Sequence, residues 1–262
     1  MRHGWYSVPE AAEVAVRAIR VGGRVTGLEA LRLAGLILPP RATVDLVVPA
    51  NAAGLRSPHD RRARLGADPA VRVHWLDRPR NETSPRDWLV SDAEALAVVL
   101  RSESREVAIA ACDGLIRYRG WSRARLRHVF AGAPERVRPW LALVDGRAES
   151  WGETFVRLRL VDAGIPWESQ SRVPGAGRFD GRVASRVYIE VDGSQHLEGW
   201  SAPDEDWFER DRVKDAIVAS LGGRVLRITY PMFRDEWGLV LDAVRRAIAE
   251  DEASLRGRGI VA

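Results

Sequence analysis

Between Ser150 and Glu250 the spacing of the apolar residues changes several times in a fixed order, and that order is what most narrows the folds open to this chain. A helical spacing over Ser150–Ala163 gives way to three short stretches that read as strands, Glu168–Val173, Arg178–Val183 and Arg186–Asp192. A second helix over Trp207–Leu221, a fourth strand over Arg224–Thr229 and a helix over Glu236–Glu250 follow. The sequence therefore predicts αβββαβα in this half, a mixed α/β (α+β) arrangement.

The first half has a different grammar. Ser or Thr followed three residues later by Glu marks helix starts, because the hydroxyl caps a helical N–H and the acid reaches back. Ser7 to Glu10, Thr26 to Glu29, Ser91 to Glu94 and Ser150 to Glu153 fit, as does an Asp version from Asp206 to Glu209. The first two predict short helices over Pro9–Arg20 and Leu28–Leu36, joined tightly through Gly22-Gly23-Arg24-Val25 as in a helix-turn-helix. Two β-branched stretches, Thr43–Val48 and Val71–Leu76, read as strands on either side of an arginine-rich loop. Three helices are expected over Ser91–Arg101, Ser104–Tyr118 and Ser122–Phe130, with Ala131–Gly146 as the connection between halves. At 262 residues two domains are affordable, and the expected division is 1–146 and 147–262.

Charge follows the same division. Residues 1–146 carry 23 basic and 16 acidic side chains, net +7, and residues 147–262 carry 17 and 20, net −3. A basic half attracts a polyanion, and an acidic half is what carboxylates gathered around a metal produce, although two ordinary solvated surfaces would give the same count. One cysteine, Cys112, cannot make an internal disulfide or a four-ligand zinc site. No apolar run has the length a bilayer span needs, so no membrane association is expected. The opening Met1-Arg2-His3-Gly4-Trp5 leads into charged, alanine-rich sequence instead of an apolar signal region, which leads to the expectation of a cytoplasmic protein.

In the third strand of the second half Val187, Ile189 and Val191 share one face, and Tyr188, Glu190 and Asp192 share the other. Antiparallel pairing with the preceding strand would bring Asp180 beside these two carboxylates. Three acids at one end of a sheet repel one another, and a hard cation with a preference for oxygen, such as Mg²⁺, removes the repulsion. His196 follows the strand and could move protons near a metal-bound water at neutral pH. Bland readings stand beside these: Glu153 as the reciprocal cap of Ser150, Asp192 as a turn residue before Gly193, Lys214 as a solvated helix residue. Trp200 and Trp207 read as packing residues. Arg56, Arg61, Arg62 and Arg64 could contact phosphates of DNA, or form a solvated loop.

Residues 149–250 resemble the very-short-patch-repair-like endonucleases of the PD-(D/E)xK nuclease superfamily. The residues that carry the resemblance are Ser150-x-x-Glu153, Arg178-Phe179-Asp180, Glu190-Val191-Asp192-Gly193-x-Gln195-His196, Glu209-Arg210-Asp211-x-x-Lys214-Asp215 and Gly223–Thr229. The resemblance implies a restriction-endonuclease-like αβββαβ core in which Asp180, Glu190 and the Val191 carbonyl hold Mg²⁺ or Mn²⁺, with Glu153, Asp192, His196 and Lys214 as further catalytic candidates. Asp192 stands where the superfamily usually has lysine, and Lys214 on the following helix is the candidate substitute. The cysteine-rich zinc site of the repair enzyme has no counterpart here. Residues 5–145 resemble the winged-helix and following helices of AbiEi-type antitoxin-like proteins. The expected function is hydrolysis of DNA phosphodiesters, with RNA as an alternative substrate and a protein partner open to the N-terminal region. The rival expectation is a non-enzymatic, antitoxin-like DNA-binding regulator whose nuclease fold has lost catalysis.

Overall fold

The computed structural model describes residues 8–60, 62–66, 68–76, 88–192 and 205–259, with 205–210 as backbone only. The chain divides into two compact units, Met1–Val144 and Asp145–Ala262.

In the first unit, helices α1 (Glu13–Val21) and α2 (Gly27–Leu33) flank a two-residue strand, β1 (Arg24–Val25). The tight helix-to-helix connection expected there is thus corrected. After Gly22 closes α1 in the left-handed conformation (φ 98°), the chain extends and pairs antiparallel with β2 (Val44–Pro49). Two extended residues that can complete a sheet edge outcompete a bare turn, because the edge would otherwise leave backbone groups without partners. β2 pairs in parallel with β3 (Val71–Leu76), giving a three-stranded sheet in the order β1-β2-β3. Three further helices follow, α3 (Asp92–Ser102), α4 (Arg105–Arg119) and α5 (Arg123–Ala131). Ser91 and Glu94 form the full reciprocal cap of α3. The stretch expected to be a connection holds a 3₁₀ helix, Glu135–Leu143, whose Val137 is buried.

The core of this unit, built on Leu31, Leu46, Leu96, Leu100, Ile109, Leu115 and Leu126, also encloses Asp45. Its carboxylate takes hydrogen bonds from Arg72 Nε and His74 Nε2, the latter at 2.8 Å. Burial alone would raise its pKa, but these two donors hold it below the ordinary carboxylate value. Cys112 is buried, and loss of solvation pushes its thiol well above the usual range, so it behaves as a small apolar residue.

The second unit runs α6 (Trp151–Asp162), β4 (Glu168–Val173), β5 (Gly177–Ala184), β6 (Val187–Asp192), α7 (Glu205–Ser220), β7 (Arg224–Thr229), α8 (Tyr230–Asp235) and α9 (Trp237–Gly257). The expected order of elements is present, with the short helix α8 added between β7 and α9. The sheet has the order β4-β5-β6-β7, antiparallel except for the parallel β6–β7 pair. Parallel pairing needs a crossover, which α7 supplies.

Both helical layers dock for identifiable reasons. Trp151 and Phe233 meet edge to face at 5.7 Å, with Tyr230 and Phe155 completing the cluster that ties α6 to α8. Gly152 lets α6 come close: a Cβ there would stand 3.3 Å from Val191 Cγ1 of β6 and 3.4 Å from the Phe233 ring. On α7, Val218 and Ile217 pack with Val173, Ala176, Phe179, Tyr188 and Val225. Asp251 of α9 accepts from the backbone N–H and Nε of Arg186, pinning α9 to the β5–β6 connection. Among the described residues no helix is long and apolar enough to cross a membrane.

Candidate carboxylate site of the second unit

In β6 the expected alternation is realised: Val187, Ile189 and Val191 are buried, and Tyr188, Glu190 and Asp192 are half-buried. β5 and β6 pair up to Gly181 and Ile189, and beyond that point the Asp180 carboxylate takes over from the ladder, accepting from the Val191 N–H at 2.8 Å. Asp180 is thereby held in the mouth between two strands, within reach of the charge of Glu190. Gly181, next to it, leaves room for Trp167, since an added Cβ would lie 2.2 Å from Cη2 of that ring.

Glu153 enters from α6. The bland expectation, that it serves as the reciprocal cap of Ser150, is met only in part. The Ser150 hydroxyl accepts from the Glu153 N–H at 3.2 Å, but the Glu153 carboxylate takes the Glu149 N–H (3.0 Å) and the Gln170 amide (3.0 Å), both on Oε2. Burial pushes Glu153 up to about 8, with the negative charge of Asp180 as the next cause. Burial likewise raises Asp180 to about 6; the Val191 N–H opposes the shift, and Glu190 and Glu149 add to it. Glu190 is raised by burial too, against the pull of Lys214 and Arg227. Three carboxyl groups therefore titrate upward together, the signature of like charges sharing a poorly solvated place.

Lys214 of α7 meets one of them, Glu190. Its Nζ donates to Glu190 Oε1 at 2.9 Å and to the Arg178 carbonyl at 3.3 Å, and lies 5.2 Å from the centre of the Phe179 ring. Its stem runs past Gly177, with Lys214 Cε 3.7 Å from where a Cβ would stand, an ordinary van der Waals distance. Lys214 is thus no freely solvated helix residue. Asp192 closes β6, opposite Thr229 of β7. His196, Gln195 and Trp200 lie outside the described residues, as do the side chains of Asp206, Trp207 and Glu209 and the whole of Ser7 and Arg61.

Sequence reasoning gave no site role to three participants, although Arg178 and Arg227 lie within the motifs that carry the resemblance. Gln170 gave no signal, since a Gln in a strand is ordinarily solvent-facing. Arg227 stands in register with Glu190 on the neighbouring strand and bridges Asp211 (2.7 Å) and Asp215 (3.1 Å), so the parallel β6–β7 register, not any local motif, places it. Arg178 pairs with Glu149 at 2.6 Å.

The donor set suits a hard cation: carboxylate oxygens whose mutual repulsion is only partly relieved by one ammonium. Among the described residues no three His, Cys, Asp or Glu side chains are gathered closely enough to form a protein-only cage for a metal. Mg²⁺ does not require one, because it retains waters and is commonly held by one or two carboxylates. Asp180 and Glu190 fit that requirement.

In the first unit the arginine-rich loop closes on itself. Arg56 and Arg64 form an isolated bridge, Arg56 Nη1 reaches the Arg62 carbonyl at 3.5 Å, and the Arg62 N–H is capped by Asp60 at 2.8 Å. Arg62 and Arg64 are exposed at its tip. The site has to be read from this geometry, since no protein-family model, no curated protein and no solved structure matches the chain.

Proposed function

We propose that the second unit is a Mg²⁺- or Mn²⁺-dependent phosphodiester hydrolase acting on DNA, with a restriction-endonuclease-like core, and that the first unit, with a winged-helix-like role, binds DNA or a protein regulator in the cytoplasm. The observation that carries this reading is the placement of Asp180 at the β5–β6 mouth within reach of the charges of Glu190 and Glu153, with Lys214 donating to Glu190.

Asp180 and Glu190, with the Val191 carbonyl, would hold the cation, which when bound supplies a Lewis acid for the phosphate and a more acidic water. Lys214 lies beside Glu190 and offsets negative charge that develops on the phosphate as the bond breaks. Glu153, with a pKa of about 8, can take up or return a proton near neutral pH. His196 remains a second candidate for proton transfer.

The position of Asp192 favours the second reading, a non-enzymatic, antitoxin-like DNA-binding regulator, because a carboxylate adds repulsion where the superfamily has a cation. A plasmid-nicking assay distinguishes the two. Hydrolysis is expected with Mg²⁺, and is expected to vanish with EDTA and in Asp180→Ala; DNA binding with no nicking in either metal supports the regulator and refutes the hydrolase.

A further inference from the structure

Gln170 is the one described non-glycine residue with a positive φ, 57°. The left-handed region is unfavourable for a side chain with a Cβ, and such residues persist where their surroundings impose the conformation, often at functional sites. β4 pairs with β5 on either side of it, Ser169 with Gly181 and Ser171 with Phe179, so the distortion is confined to the position facing Asp180.

The side chain explains what the distortion accomplishes. Gln170 Nε2 donates to Glu153 Oε2 at 3.0 Å, which links β4 to α6 across the carboxylate site. Gln170 Oε1 is buried and accepts from no group among the described residues. A buried amide oxygen without a donor is costly, and a bound water is the usual remedy where polar groups surround the place.

We propose that Gln170 is a positioning residue of the carboxylate site. Its amide N–H fixes Glu153 beside Asp180, and its amide oxygen accepts a hydrogen bond from a water in the hydration shell of the cation. This rests on the reading of Asp180 and Glu190 as cation ligands. A glycine at the position would satisfy the backbone and serve neither purpose, so the Gln here is attributed to its amide.

The test uses the full chain and Mn²⁺ alone, with affinity read by electron paramagnetic resonance and stability by thermal melting. Gln170→Gly removes the amide and accommodates the backbone; Gln170→Met keeps the length and the strain but cannot hydrogen-bond. Both are expected to bind Mn²⁺ about 10-fold or more weaker, as losses of such supporting contacts typically do, with Gln170→Gly melting no lower than wild type. Asp180→Ala is the reference and should abolish the high-affinity site. If Asp180→Ala lowers affinity while both Gln170 variants bind as wild type, the role of Gln170 is overturned and the site survives. If Asp180→Ala binds as wild type, the cation site itself is refuted and Gln170 with it. A merely structural Gln170 would change the melting temperature and leave Mn²⁺ affinity unmoved.

Discussion

The upward shifts at the carboxylate site make an unusual prediction about stability. Glu153 has a native pKa of about 8 against 4.5 for an unhindered Glu, and Asp180 about 6 against 3.8. A folded pKa above the unfolded one means that, between the two values, the native state holds a proton which the unfolded chain has released. The stabilisation is complete below about pH 4, and it is lost as pH rises through the folded values. One such proton gives a slope of about 1.4 kcal/mol per pH unit, so between pH 5 and pH 7 the second unit should lose about 3 kcal/mol through Glu153 alone. Most folded proteins are instead near their stability maximum in this range. Urea unfolding of the full chain in EDTA, followed by tryptophan fluorescence across pH 5 to 8, measures the slope. Glu153→Gln, which keeps the shape and stays neutral, should flatten it and make the protein more stable than wild type at pH 7.5. Millimolar Mg²⁺ should restore stability to wild type at pH 7.5 and have little effect at pH 5, where Glu153 and Asp180 are protonated. A stability independent of pH over this interval, or a slope unchanged in Glu153→Gln, would refute the claim that these groups are buried together and mutually repelling.

Lys214→Ala is expected to reduce single-turnover cleavage by about 10²–10³, the usual consequence of losing a donor that stabilises the transition state. Because Lys214 also pairs with Glu190, the same variant should lower stability at pH 7.5, and Lys214→Arg should recover only part of the rate, since a planar guanidinium does not place its charge where a compact ammonium does. Rates unchanged in both variants would remove Lys214 from the chemistry. DNA binding by the full chain in EDTA should weaken steeply with salt, as counterions are released from each neutralised phosphate, and a salt-independent affinity would indicate a different partner for the basic unit. Gly181→Ala should destabilise by about 1–3 kcal/mol through collision with Trp167, and Trp167→Ala in the same chain should remove much of that cost; additive effects in the double variant would argue against the contact.

Much of this was legible in the chain. Element order in the second half, the alternation of Glu190 and Asp192 with Val187, Ile189 and Val191, and the helix starts at Ser91, Ser104, Ser122 and Ser150 are local properties, fixed by side-chain period and by capping within a few residues. β1 was not legible, because two residues carry no period and become a strand only when β2 arrives to pair with them. The carboxylate of Glu153 satisfied a capping pattern on paper and was redirected by Gln170, a partner 17 residues away in sequence and on another element. Arg227 reached Glu190 through the parallel register that α7 imposes, and Gln170 came to face Asp180 through the β4–β5 pairing. Sequence by itself determined which residue types stand on which face of each element, since that depends on neighbours a few positions apart. Only the tertiary structure decided which carboxylates meet and how far their pKa values rise, because desolvation and charge–charge repulsion act through space, between groups the chain brings together only on folding.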